Sequence, residues 1–347
     1  MIDSALLDEI AHGRDLAPER MASAMRTIMT GGATPAQIGA LLMGLRMKGE
    51  SIDEIAAAAG VMRELAAAVP VAPELAESLV DTCGTGGDGA GLFNVSTAAA
   101  FVTAAAGGHV AKHGNRSVSS KSGSADLLEA AGLNLDTGAA EVAACIQELG
   151  VGFMFAPAHH GAMRHAVSVR RELGIRTLFN LLGPLTNPAG ARNQLMGVFN
   201  GHLCEPLAHV LAKLGSRHVM VVHGDDGLDE LSINAPTKVA ELRDGHVVSY
   251  RIAPEDVGLE RGSLDTLRVP DAAGSLAIIE KAFAGEFDLA ADIIAFNAGA
   301  ALYVSDRAPD LAAGVALARE TIASGAAARR MIEVARFTLA RAALAQP

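Results

Sequence analysis

The nine residues DTCGTGGDG at 81–89 lie between an apolar segment of strand character, residues 77–83, and an apolar segment of helix character, residues 96–106. Glycines in that setting are a way of holding phosphate. Gly84, Gly86 and Gly87 carry no Cβ, so the backbone can take positive φ and bring its N–H groups close to an anion. The helix start that follows adds unpaired N–H groups and the positive end of the dipole. Asn94, Ser96 and Thr97 stand at that start, where their side chains can cap the helix or meet the ligand. A glycine turn with no ligand would have the same local pattern. The loop lacks the Lys-Ser/Thr ending of a P-loop, and its G-x-G-G spacing is not G-x-G-x-x-G. Nucleotide triphosphatases and Rossmann dehydrogenases are therefore disfavoured.

The surrounding chain divides by period. The first ~70 residues have apolar residues at helical spacing and no convincing strand, with helices expected over 4–12, 18–29, 34–48 and 51–68. From residue 77 strands alternate with helices. Strands are expected over 77–83, 108–112, 151–155, 194–199, 217–223, 237–242 and 246–251. Helices are expected over 96–106, 124–131, 139–149, 202–214, 275–284, 288–304, 309–323 and near 327–344. That alternation predicts an α/β fold with a mostly parallel central sheet covered by helices on both faces, with ligands at the carboxyl ends of the strands. Residues 157–193 are too long for a structureless loop. They are expected to pack on the N-terminal helices, giving a discontinuous helical domain (1–72 with 160–190) beside an α/β domain (73–159 with 191–347).

Composition narrows the function. In 347 residues there are 10 Phe, 2 Tyr and no Trp, and the formal charge is −11. Base stacking on aromatic platforms is disfavoured, as is general affinity for nucleic acid or anionic membranes. Cys83, Cys145 and Cys204 are scattered, with no C-x-x-C, so neither a disulfide framework nor a zinc site is expected and a cytoplasmic location is the natural one. No signal peptide or membrane span is apparent.

Two further clusters follow strands. KHGNRSVSSKSGSAD at 112–126 brings Lys112, His113, Arg116 and Lys121 together with five serines, which suits phosphate oxygens as well as a solvated loop. VVHGDDGLDEL at 221–231 ends a strand in four carboxylates, Asp225, Asp226, Asp229 and Glu230. An acidic surface turn would explain them, and so would Mg²⁺ shared with substrate phosphates, since Mg²⁺ favours a few carboxylates plus phosphate.

In this order GTGGDG, NVST, KHGNRSVSSKSGSADLLEA, AHHGAMRHA, GIRTLFNLLGPLTNP and HGDDGLDELS resemble the anthranilate phosphoribosyltransferases over nearly the whole chain. The resemblance implies transfer of phosphoribose from phosphoribosyl pyrophosphate (PRPP) to the amine of anthranilate, with release of pyrophosphate and use of Mg²⁺, in tryptophan biosynthesis. It implies a PRPP site of Gly84, Thr85, Gly86, Gly87, Asp88, Asn94, Val95, Ser96, Thr97, Lys112, His113, Gly114, Asn115, Arg116, Ser117, Val118, Ser119, Ser120 and Ser124. Gly84, Asn115 and Arg170 would meet anthranilate, and Ser96, Asp229 and Glu230 would hold the metal. A homodimer through the N-terminal helices is also implied. Where the family usually has Ser or Thr eight residues after Gly84, this chain has Leu92, which removes a hydroxyl from the expected PRPP contacts.

For such a displacement, positioning and charge stabilisation of the leaving group suffice, and no general acid or base is assigned. His113, His159 and His160 are candidates to lie near the aromatic acceptor, with a structural role preferred for each of them, His159 included. The alternatives are a nucleoside phosphorylase-like enzyme, which would not need the paired Asp229 and Glu230, and a non-catalytic nucleic-acid-binding relative, which the net charge opposes.

Overall fold

Four helices open the chain: α1 (Ser4–Ala11), α2 (Pro18–Met29), α3 (Pro35–Lys48) and α4 (Ile52–Leu65). The coordinates are a computed structural model, and they describe residues 1–117 and 121–344. Both α3 and α4 start at capping boxes. Thr34 and Ser51 accept the N–H groups of Gln37 and Glu54, whose side chains return to the cap N–H, so two donors that a helix start leaves orphaned are satisfied.

The α/β part follows as β1 (Leu79–Asp81), α5 (Val95–Ala105), β2 (His109–Gly114), α6 (Ser124–Ala130), α7 (Ala139–Leu149) and β3 (Val151–Phe155). The expected insertion carries three helices, α8 (Ala156–His159), α9 (Arg164–Leu173) and α10 (Phe179–Leu182), before β4 (Asn193–Gly197). Next come α11 (Cys204–Lys213), β5 (His218–Gly224), β6 (Thr237–Arg243) and β7 (His246–Ile252). The chain closes with α12 (Ala272–Phe283), α13 (Asp288–Val304), α14 (Leu311–Ala323) and α15 (Ala326–Leu344).

All seven expected strands form one sheet in the order β3-β2-β1-β4-β5-β6-β7. Neighbours from β3 to β5 run parallel, while β5–β6 and β6–β7 are antiparallel. The turn between β6 and β7 is Asp244-Gly245, both at positive φ (51° and 79°), which matches the twist of a two-residue hairpin.

Side chains alternate along each strand, so the sheet separates two cores. Val80, Val110, Leu195, Met220 and Val222 share one core with α5 and α13. On the opposite face Met196, Val219 and Val221 join α11 and the N-terminal helices, while Leu79 and Ala111 pack with Val142 and Ile146 of α7. Helix α5 is buried along most of its length and α13 nearly so, as expected of helices that are apolar all round. In the insertion, α9 packs on α3 and α2, and Ala166, Val169, Leu178, Phe179 and Leu182 enter the same core as the N-terminal helices. Among the described residues no single helix is long and apolar enough to cross a membrane.

Candidate active site

Strands β1, β2 and β5 each end in one of the three polar loops, and parallel neighbours present those ends together. The glycine loop is stitched to the end of β4. Thr85 N–H donates to Gly197 O at 2.8 Å, and Thr85 Oγ1 accepts the Phe199 N–H at 3.1 Å. Gly86 and Gly87 take φ of 64° and 81°, as their lack of a Cβ permits. Gly84 is needed for a different reason: a Cβ there would stand 2.7 Å from Gly197 O. At Gly197 a Cβ would fall 1.5 Å from Asp229 O, so the acidic loop lies directly against the end of β4.

Lys112, only 3 % exposed, joins the first two loops. Its Nζ donates to Thr82 O at 3.0 Å, Thr82 Oγ1 at 3.3 Å and Ser96 Oγ at 3.2 Å. Ser96 N–H in turn donates to Glu230 Oε1 at 3.2 Å. Ser96 at the start of α5, Lys112 in β2 and Glu230 in the loop after β5 are thus in one hydrogen-bonded group. Thr97 Oγ1 is buried beside them with no partner among the described residues.

The four acids of the third loop divide by partner. Asp225 pairs with Arg251 at 2.5 Å, and Asp226 accepts from Ser232 Oγ at 2.7 Å and Asn234 Nδ2 at 3.2 Å. Those two brace the turn, leaving Asp229 beside Asp88 and Glu230 against Ser96. Loss of water pushes the Glu230 carboxyl up to about 7, against the pull of Lys112. Asp229 is also driven well above the usual carboxylate range, first by desolvation and then by the charges of Asp88 and Glu230. Asn297 of buried α13 holds the loop in place: its Oδ1 accepts the Leu231 N–H, and its Nδ2 donates to Leu231 O, both at 3.0 Å.

The remaining expected residues are distributed less uniformly. Asn94 sits at the start of α5 without capping it. Its Oδ1 accepts from Ser122 Oγ and Ser275 Oγ, each at 2.8 Å, which ties the first loop to the second and to α12. Val95 is buried at the first turn of α5. Gly114 ends β2 against Ser124 and Phe153. Asn115 is exposed, its Oδ1 taking the Arg116 N–H at 2.8 Å, and its carbonyl accepts the Ala125 N–H at 3.2 Å. The Arg116 guanidinium is engaged by Glu129 and Asp126 of α6. Asp126 also accepts the N–H groups of Ser117 and Gly123, both at 2.9 Å, which closes the second loop. Val118, Ser119 and Ser120 lie outside the described residues. Arg170 on α9 is half-buried over the Phe179 ring at 5.3 Å, and burial lowers its pKa. Leu92 packs against the α5/α13 core and pairs with Arg268 in an isolated β-bridge.

Two features were not expected from the sequence. Arg176 donates to the Gly87 carbonyl, and Asn297 anchors the acidic loop. His113 and His160 form a buried tilted pair with centroids 4.9 Å apart. Burial lowers them to about 3 and about 4, and both ring nitrogens of His113 are without partners among the described residues. His159 Nδ1 lies 3.0 Å from Ala67 O, a structural contact.

A helical bundle joined to an α/β sheet, with polar loops gathered at the strand ends, is the two-part architecture of one glycosyl transferase family. Residues 4–66 match the helical bundle domain of the glycosyl transferase family, and residues 76–328 match its a/b domain. The anthranilate phosphoribosyltransferase of Thioalkalivibrio sulfidiphilus is 63% identical over 324 residues, 93% of this chain and 95% of that protein. That of Saccharophagus degradans is 59% identical over 333 residues, 95% of this chain and 97% of the relative. Among solved structures, the Thermus thermophilus anthranilate phosphoribosyltransferase superposes with a TM-score of 0.90 at 44% identity, covering 96% of this chain and 98% of that one. The Saccharomyces cerevisiae enzyme in complex with PRPP and Mg gives 0.87 at 25% identity, covering 98% and 99%. The chain belongs to the anthranilate phosphoribosyltransferase family.

Proposed function

We propose that this cleft transfers phosphoribose from PRPP to the amine of anthranilate, releasing pyrophosphate. The observation that carries the reading is the Ser96–Lys112–Glu230 group, which joins a cation from β2, the start of α5 and an acid from the loop after β5. The N–H groups of the glycine loop and of the α5 start, with Lys112, bind the diphosphate. Val118, Ser119, Ser120 and Ser124 belong to the same PRPP site by family pattern. Arg170 takes the acceptor carboxylate, because it is a permanent cation with a planar donor fork and has no acid partner among the described residues. Asn115 and Gly84 border the acceptor.

The donor set fits Mg²⁺. Asp229 and Glu230 are two hard oxygen donors whose pKa values are raised first by desolvation and then by neighbouring acids, Asp88 among them, so that a bound cation would favour their charged forms. Asp229, Glu230 and Ser96 would hold the ion, which when bound neutralises charge on the departing pyrophosphate. As the C–O bond to pyrophosphate breaks, Lys112 and the loop N–H groups stabilise the same charge. The acceptor amine is already uncharged near neutral pH, so orientation replaces a general base.

The reading extends to the whole chain. Residues 1–72 with 160–190 form the helical part, supported by the packing of α9 on α3, and 73–159 with 191–347 form the phosphoribosyl-binding part. Two copies pair through the helical part, where Met43 and Met47, one turn apart on α3, and Val167 on α9 are exposed. Three free thiols suit a reducing cytoplasm.

The test mixes protein, PRPP, Mg²⁺ and anthranilate and follows loss of anthranilate fluorescence. Loss that requires all three components, and that falls at least ~100-fold in Arg170→Ala and in Asp229→Asn/Glu230→Gln, is expected. Absence of any loss in the wild type would sink the reading.

A further inference from the structure

Arg176 leaves the insertion and reaches the glycine loop. Its Nη2 donates to the Gly87 carbonyl, and its guanidinium carbon lies 4.1 Å from the centroid of the Phe199 ring. Gly174 ends α9 in a left-handed turn, its N–H donating to Arg170 O at 3.2 Å. One short turn therefore separates Arg170, which stays over Phe179, from Arg176, which crosses to Gly87.

Two successive glycines at positive φ leave a loop many alternatives unless something outside it selects one. The peptide unit is planar and trans. Fixing the Gly87 carbonyl on Arg176 therefore fixes the Asp88 N–H on the opposite side of the same peptide. Stacking on Phe199 holds the guanidinium plane, so the donor is set before any ligand arrives.

We propose that Arg176 is a positioning residue that holds the glycine loop in its diphosphate-binding conformation. This rests on the PRPP reading above. The test measures PRPP binding by calorimetry with Mg²⁺ and no acceptor, and separately steady-state turnover, for wild type, Arg176→Lys, Arg176→Ala and Phe199→Leu. Circular dichroism confirms that each variant is folded.

In Arg176→Ala the PRPP Kd and KM should rise about tenfold, the size of one lost charge-assisted hydrogen bond. The anthranilate KM should move less than about twofold. Arg176→Lys should lie between wild type and Ala, and Phe199→Leu should shift in the same direction by less. An unchanged PRPP Kd in folded Arg176→Ala overturns the proposal, as does a fall in kcat with both KM values intact. Wild type that binds PRPP but does not consume anthranilate would overturn the acceptor assignment. Weaker PRPP binding in Arg176→Ala would still uphold the role of Arg176.

Discussion

Gly197 permits one of the closest approaches in the molecule, and the site depends on it. A methyl group there would occupy the position of the Asp229 carbonyl, so Gly197→Ala must push the acidic loop off β4. We expect a stability loss of about 1–3 kcal/mol in urea titration and a fall in kcat/KM of ~100-fold, because displacement by an ångström is enough to misplace ligands. Glu230 predicts a pH dependence. Its folded pKa of about 7 lies above its ordinary value of 4.5, so the metal-free fold favours the protonated form. That contribution is fully present below about 4.5 and is lost as pH rises through about 7. The Tm of the metal-free protein should therefore fall across this window. Glu230→Gln should flatten the fall, and Mg²⁺ with PRPP should raise Tm more at pH 8 than at pH 6. A wild-type profile no steeper than that of Glu230→Gln would contradict the assignment.

At the scale of elements, helix α13 does more than fill the core. Asn297, fully buried, offers Leu231 both an acceptor and a donor. Asn297→Ala leaves two backbone groups unpaired, which costs about 2–4 kcal/mol, and loosens the loop bearing Asp229 and Glu230. The apparent KM for Mg²⁺ in PRPP-dependent turnover should rise several-fold although position 297 touches neither substrate. Strand and helix existence was legible outside the insertion, because apolar period and capping residues are local signals, whereas α8, α9 and α10 had no expected ranges. The antiparallel pairs at the edge of the sheet were not expected; the structure makes them through the Asp244-Gly245 turn, both residues at positive φ. The glycine and KHGN loops stood out because they too are local signals. Arg176 and Asn297 did not, since an arginine in a loop and an asparagine in an apolar helix acquire their partners only when segments distant in sequence meet. The resemblance set Asp229 and Glu230 apart as metal ligands, but nothing in the sequence said what Asp225 and Asp226 do instead. That division is made by Arg251, Ser232 and Asn234.

Over the whole molecule, the apolar surface left on α3 predicts association. Met43→Glu/Met47→Glu should bring the mass measured by light scattering from two chains to one, with the circular dichroism spectrum unchanged. A wild type already of one-chain mass would remove the dimer from the proposal. Half-buried Arg63 binds the parts of a single chain: it donates from α4 to Leu185 O at 2.7 Å and to Leu214 O, at the end of α11, at 3.1 Å. The helical layer itself is assembled from two stretches, since α9 packs on α3 although the whole of β1 to β3 lies between them in the chain. During synthesis the first four helices leave the ribosome with their shared apolar face uncovered, and it is covered only in part by α9 and fully only after α11 and β5 have followed. The amino-terminal half is thus the part most in need of chaperone shelter, and a permuted gene that begins at the insertion would shorten the wait.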